Sequence, residues 1–275
     1  MRWLVRLLFL TLALAAGPML LAAVMFRSFL YYPTFLDSEQ VERLARMERW
    51  KVASVQATSE IRLVGLVRPP SDPGRPWALF FGGNAMDLGS SQWALNLIDD
   101  GNGFGLAVFA YRGYDGSTGT PTEAGLLHDA EIVADWLENE HGVEPRNLVL
   151  VGQSLGSGIA AHLAAALARK ERPARGLALL SPYTSIARVF DDHVPMVRVG
   201  WAIQDRYDTE ALLHDIPAPV VIVHGTDDLI IDVDHAKDLA EALGPRAKLL
   251  LLEGIGHNDL WGNPKTAASV RSLLK

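Results

Sequence analysis

One serine in this chain stands where serine chemistry could occur. Ser154 occupies Gly152-Gln153-Ser154-Leu155-Gly156, a Gly-x-Ser-x-Gly pentapeptide. A serine hydroxyl is a weak nucleophile and needs a base within hydrogen-bond reach, itself oriented by a carboxylate. Both partners follow downstream. The apolar run Val220-Val-Ile-Val223 opens into His224-Gly-Thr-Asp-Asp228, which carries two adjacent acids. The next apolar run, Leu249–Leu252, opens into Glu253-Gly-Ile-Gly-His257. Serine, acid and histidine in that order would suit acyl transfer, with an acyl group carried on Ser154 and His257 acting first as base and then as acid.

Composition removes competing chemistries. The 275 residues hold no cysteine, so thiolate metal sites, disulfides and a cysteine nucleophile are excluded. None of the eight histidines stands in a His-x-His or His-Glu-x-x-His spacing, so no metal and no cofactor is expected. The formal charge of −7 offers no basic stripe for a nucleic acid partner. A phosphate-binding turn would need Gly-x-Gly-x-x-Gly or a Gly-Lys-Ser ending, and neither is present at Ser154. His224 ends a buried run before a glycine and reads as a hydrogen-bonded structural histidine. His128, His141, His162, His193, His214 and His235 fall in helical or loop patterns expected to face solvent.

The elements that must position these groups are a strand-then-helix alternation. Val52–Thr58 and Ile61–Arg68 read as two antiparallel strands. Buried strands are expected at Trp77–Phe81, Gly105–Tyr111, Asn147–Val151, Leu177–Leu180, Val220–Val223 and Lys248–Leu252. Helices are expected at Ser91–Asp99, Thr122–Glu140, Leu155–Lys170, Asp234–Leu243 and Lys265–Leu274. The fold class is therefore α/β, a mostly parallel sheet flanked by helices on both faces. Ser154, the acid loop and the histidine loop then all leave the carboxyl ends of strands, where ligands bind in such sheets. Residues 182–219 are a long irregular insertion, read as a small cap over a pocket. The oxyanion donors are expected to be the backbone N–H of Leu155 and that of Asn84 in Gly82-Gly83-Asn84.

The N-terminus differs. Residues 7–26 hold no charged side chain, and twenty residues at about 1.5 Å each match a bilayer core. Residues 1–27 read as an uncleaved signal-anchor, with a cleaved secretory signal as the alternative. Arg2 and Arg6 precede the run, which would place the rest of the chain on the non-cytoplasmic side. Phe29, Tyr31 and Tyr32 would form an interfacial aromatic belt. Residues 28–51 read as a linker with a short polar helix, and 52–275 as the catalytic domain.

Several stretches carry a resemblance beyond the pentapeptide: Tyr31-Tyr-Pro-Thr34, Gly83–Gly89, Tyr111-Arg-Gly-Tyr-Asp-Gly-Ser-Thr-Gly-Thr-Pro-Thr-Glu123, Ser181–Ser185, Asp205–Asp208, His224–Asp228 and Gly256-His-Asn-Asp259. With them the chain resembles the membrane-anchored serine hydrolases of the α/β-hydrolase-domain group, whose animal members include protein depalmitoylases and lysophospholipases. Bacterial relatives are commonly filed beside serine aminopeptidases. The resemblance implies an α/β-hydrolase fold and a Ser154–Asp228–His257 triad acting on esters or thioesters. It favours Asp228 over Asp227 because the family's acid is the fifth residue of His-Gly-x-x-Asp. One departure stands out: the family's His-Gly-Asn in the oxyanion loop is Gly82-Gly83-Asn84 here, so a bracing side chain is missing. A serine aminopeptidase, with Asp191, Asp192 or Asp205 holding an amine, and a catalytically inactive membrane scaffold are the competing readings.

Overall fold

Short Val- and Leu-rich runs bounded by glycine and proline bury both faces when they pair, and here they pair into one sheet. The structure, a computed structural model, describes residues 26–28, 30–47, 49–193 and 200–275. The strands are β1 (Lys51–Gln56), β2 (Arg62–Arg68), β3 (Trp77–Phe81), β4 (Gly105–Phe109), β5 (Leu148–Gln153), β6 (Gly176–Leu180), β7 (Val220–Gly225) and β8 (Ala247–Leu252). Their order is β1-β2-β4-β3-β5-β6-β7-β8. β2 runs antiparallel to both neighbours, and every pair from β4 across to β8 is parallel. The chain builds β4 on one side of β3 and then crosses to β5 on the other. A crevice between diverging loops is created at that reversal, at the carboxyl ends of β3 and β5.

Side chains alternate across the sheet. Along β5, Leu148 and Leu150 enter one apolar layer while Val149 and Val151 enter the other. The first layer is closed by α3 (Glu123–His141), α4 (Leu155–Arg169) and α6 (Val233–Leu243), through Leu126, Val133, Ile159, Leu163 and Leu239. The second is closed by α1 (Ser38–Arg46), α2 (Leu88–Asp99) and α7 (Pro264–Arg271), through Val41, Leu95, Ile98 and Val270. Helix α3 begins where Thr122 accepts the Gly125 N–H and ends at left-handed Gly142, as its sequence signals. The 182–219 insertion contains α5 (Ile186–His193) and two single 3₁₀ segments, Gly200–Ala202 and Glu210–Asp215.

Residues 28–51 are not a linker outside the core. Leu30, Tyr31, Val41, Ala45 and Trp50 are buried in the two layers. Val41 and Ala45 lie four apart, so the polar-looking α1 still presents one apolar stripe to the sheet. Tyr31 accordingly does not join an aromatic belt, whereas Tyr32 is exposed. Residues 1–25 and Phe29 lie outside the described residues, and with them nearly all of the apolar run. Among the described residues, no helix is long and apolar enough to cross a membrane.

Two histidines expected at the surface are inside. His235 is 1% exposed, and its Nδ1 accepts the Thr184 N–H at 3.1 Å. His162 is half-buried, donating from Nδ1 to the Gly158 carbonyl at 2.7 Å with its ring edge-on to Tyr207. Both lie on helix faces that would be wet on an isolated helix but are covered by the 182–219 insertion.

Burial holds the His162 pKa below its ordinary value. The unfolded chain therefore binds a proton near pH 6.5 that the native state does not. Stability is full above that pH and falls as the pH drops toward the lowered native value. We expect urea unfolding of His162→Gln to lose less stability between pH 7 and 5 than the parent; an equal loss would exclude this source. The buried pair Arg112–Asp129 gives a second test. Arg112 donates from Nε at 2.7 Å and from Nη2 at 2.6 Å to the two oxygens of Asp129, tying the loop after β4 to α3. Asp129→Asn should lower unfolding free energy by about 3 kcal/mol by leaving the guanidinium poorly paired; an unchanged urea midpoint would contradict it.

Candidate active site

The turn from β5 into α4 is too tight for ordinary residues. A Cβ on Gly152 would stand 2.2 Å from the Gly156 carbonyl oxygen, and one on Gly156 would stand 2.1 Å from that of Phe81. With both glycines in place Ser154 is bent to φ 50°, ψ −120°, a strained backbone for a residue with a side chain. Its N–H is anchored on the Leu180 carbonyl at 2.9 Å. The residue before it is fixed too, since Trp261 Nε1 donates to Gln153 Oε1 at 2.8 Å. Gly158, one turn into α4, leaves room for Tyr183, whose hydroxyl would lie 2.3 Å from a Cβ there.

The loops after β7 and β8 bring the two expected partners to this turn. His257 Nε2 lies 3.0 Å from Ser154 Oγ, and His257 Nδ1 lies 2.7 Å from Asp228 Oδ2. Asp228 and His257 are buried, whereas Asp227 is exposed beside Thr226. Asp228 Oδ1 accepts the N–H groups of Ile230 and Ile231 at 2.9 and 2.8 Å. His224 is fully buried, with Nε2 2.9 Å from the Ile231 carbonyl and 3.3 Å from Asp228 Oδ2. Both neighbours are acceptors, so Nε2 carries the hydrogen and His224 donates. Burial pushes the Asp228 pKa up, but donation from His224, His257 and the Ile231 amide outweighs it and holds the carboxyl far below its usual range. The carboxylate therefore stays charged throughout the pH range in which the fold would work.

The loop after β3 runs beside the serine. A Cβ on Gly83 would lie 3.4 Å from that of Ser154, so the Gly83-Asn84 backbone passes this serine closely. Leu155 is the first residue of α4, and its N–H has no acceptor within the helix. The bracing side chain absent at position 82 is replaced from elsewhere. Tyr111 Oη donates to the Gly82 carbonyl at 2.6 Å, and Asn84 Oδ1 accepts from Tyr32 N at 2.8 Å and Tyr114 Oη at 3.1 Å.

A sequence profile described as the alpha/beta hydrolase fold matches residues 79–208. An uncharacterized protein of Mycobacterium tuberculosis is 32% identical over 206 residues, 74% of this chain and 71% of its own length. The chain belongs to the α/β-hydrolase family. Human alpha/beta hydrolase domain-containing protein 17B is 36% identical over 184 residues, 66% of this chain and 60% of the human protein. Among solved structures an esterase from Pyrococcus furiosus superposes with a TM-score of 0.68 at 13% identity, over 89% of this chain and 98% of that one.

Within this hydrolase, sequence reasoning located Ser154, Leu155, Asn84, Asp228 and His257, and the structure brings the loops that carry them to one edge of the sheet. It assigned no role to Tyr111 or Tyr114 and placed Tyr32 in an aromatic belt, although the Tyr-x-Gly-Tyr spacing at 111–114 was a signal that two phenols leave one loop together. Of the three apolar residues after Asp228, only Ile231 is buried; Leu229 is 89% exposed, and the carboxylate is held by the Ile230 and Ile231 amides together with His224 and His257.

The elbow's tolerance can be measured directly. Gly156→Ala should destabilise the fold by about 3 kcal/mol, because the intruding methyl meets backbone rather than a movable side chain. Gly262→Ala, where a Cβ meets nothing within 4 Å, should be nearly neutral by the same thermal melt. Equal melting temperatures for the two variants would refute this account.

Proposed function

We propose that this chain is a serine hydrolase that cleaves carboxylic ester or thioester bonds through an acyl-enzyme on Ser154. The observation carrying the reading is the continuous bond path from Ser154 Oγ through His257 to a charged, buried Asp228. In this mechanism His257 Nε2 takes the hydroxyl proton as Oγ bonds to the substrate carbonyl carbon. The resulting oxyanion is held by the Leu155 and Asn84 amides. His257 then gives its proton to the leaving alcohol or thiol as the carbon–heteroatom bond breaks. Water, deprotonated by the same nitrogen, attacks the acyl-serine; the acyl–Oγ bond breaks, His257 returns the proton to Ser154 Oγ, and the acid is freed. Asp228 keeps the ring in the tautomer whose Nε2 can accept a proton, and faces the imidazolium when it forms.

An acyl chain is the proposed recognised group. It is supported by the charge-free run at residues 7–26, read as a membrane tether with the hydrolase domain on the non-cytoplasmic side, and by the exposed Trp201, Leu229 and Ile230. The acids that an aminopeptidase could use are engaged. Asp205 is buried against Arg27 and Tyr31, Asp191 accepts the Gly200 N–H at 2.7 Å, and Asp192 lies 3.0 Å from His235 Nε2. A scaffold without catalysis has no use for this bond path.

The decisive experiment is labelling of Ser154 by a fluorophosphonate, followed by hydrolysis of p-nitrophenyl esters of rising chain length. Label lost in Ser154→Ala and kcat/KM rising with chain length are expected. A folded chain that takes no label would overturn the catalytic reading, and a flat chain-length profile would remove the acyl group from it. Asp228→Asn should lower kcat by roughly 10³–10⁴ through loss of the correct tautomer. Asp227→Asn should cost about tenfold or less. The reverse ranking, at equal melting temperature, would reassign the acid.

A further inference from the structure

The stretch that follows the apolar run touches both sides of the candidate site. Tyr31 turns its phenol toward the 182–219 insertion, donating to Asp205 Oδ2 at 3.2 Å and lying 2.9 Å from Tyr207 Oη. The next residue, Tyr32, turns its N–H to Asn84 Oδ1 at 2.8 Å, in the loop that passes the nucleophile. Arg27 adds a second hold on Asp205, donating from Nε at 3.0 Å, and the Phe26 ring meets that of Phe190 on α5 at 4.3 Å. Farther along, Leu36 N donates to Asp115 Oδ1 at 3.1 Å and Asp115 N donates to the Thr34 carbonyl at 2.9 Å. Asp115 Oδ2 in turn accepts the Leu88 N–H at 2.8 Å, at the start of α2, the helix that follows the Gly82–Asn84 loop. Residues 26–28 and 30–36 are therefore fastened at three places: the cap, the Gly82–Asn84 loop and the turn at Asp115.

We propose that residues 26–36 are a positioning strap for the active site: the Tyr32 amide, with Tyr114 Oη, fixes Asn84 and hence the oxyanion donor, while Arg27 and Tyr31 fix the cap through Asp205. This rests on the serine-hydrolase reading and adds a specific division of work to it. Asn84 Oδ1 has two donors and sits on the residue whose own amide the serine-hydrolase reading assigns to the oxyanion, so its displacement would move that donor away. The cap arm holds Asp205 on the 182–219 insertion, and in this reading it shapes the wall against which an acyl group would lie.

The test uses the full-length chain and two kinds of variant. Tyr32→Pro removes the N–H and is compared with Tyr32→Ala, which retains it; the phenol is exposed, so the pair isolates the amide. Tyr32→Pro should lower kcat about tenfold relative to Tyr32→Ala with KM within about twofold, since an oxyanion donor acts mainly in the transition state. Tyr114→Phe, which deletes the other donor and keeps the ring, should lower kcat about fivefold in the same manner and serves if the proline variant does not fold. Tyr31→Phe should instead raise KM for long-chain p-nitrophenyl esters about fivefold and leave kcat within about twofold. A merely structural strap would lower the melting temperature of all variants without separating kcat from KM, and that result overturns the proposal. So does equality of the proline and alanine variants at position 32. Failure of the underlying reading is distinct, because hydrolysis would then survive in Ser154→Ala.

Discussion

The whole arrangement depends on how closely the start of α4 approaches the ends of β3 and β5. Two glycines carry that approach, with Gly156 set against the Phe81 carbonyl and Gly152 against Gly156 itself. A methyl group at either place would push the helix away from the sheet. Ser154 is then forced to a positive φ, which lifts its hydroxyl clear of the sheet edge and aims the first N–H of the helix at the same space. The strain is small beside the burial of β5 and α4, whose side chains from Leu148 to Leu167 are almost all in the core. It persists because the surrounding packing leaves the turn no alternative.

Electrostatics does the corresponding work on the acid side. A carboxylate sealed away from water would ordinarily pick up a proton. Asp228 does not, because His224, His257 and two backbone amides donate to its two oxygens. Each donor comes from a different constraint. The amides come from the turn that follows the acid, His257 from the loop after β8, and His224 from the buried penultimate position of β7. Nδ1 of His224 is buried with no hydrogen-bond partner among the described residues, which is the expense of pointing the other nitrogen at the acid turn. The carboxylate is thereby rigid as well as charged, and both properties pass to the imidazole it faces.

Much of this was legible in the sequence. Strand positions followed from short apolar runs, and the elbow, acid loop and histidine loop followed from glycine spacing at strand ends. The choice of Asp228 over Asp227 came from the family resemblance, whose acid is the fifth residue of His-Gly-x-x-Asp, and it is Asp228 that lies 2.7 Å from His257 Nδ1. What could not be read were properties set by coverage from distant chain. His162 and His235 lie on helix faces that look wet until residues 182–219 close over them. Tyr31 looks like an interfacial aromatic until Asp205, 174 residues away, claims its hydroxyl. Residues 28–51 look like a linker because their mean composition is polar, although every fourth position of α1 is apolar. Local pattern reports local structure; burial of a polar group is decided by whatever packs on it afterward.

The oxyanion loop shows how one deviation from a family pattern is absorbed. At position 82 a glycine stands where the resemblance leads one to expect histidine, so no side chain there can hold the loop. Its role is divided among three phenol-bearing residues. Tyr111 holds the Gly82 carbonyl, and Tyr114, edge-on to Tyr111, holds Asn84 together with the backbone of Tyr32. Burial drives the Tyr111 and Tyr114 pKa values upward, so both remain neutral donors at any pH at which the fold persists. A histidine brace would change charge near neutrality, whereas a phenol brace does not. The substitution thus leaves no titrating brace in the loop beside Ser154, whose Oγ lies 3.0 Å from His257 Nε2.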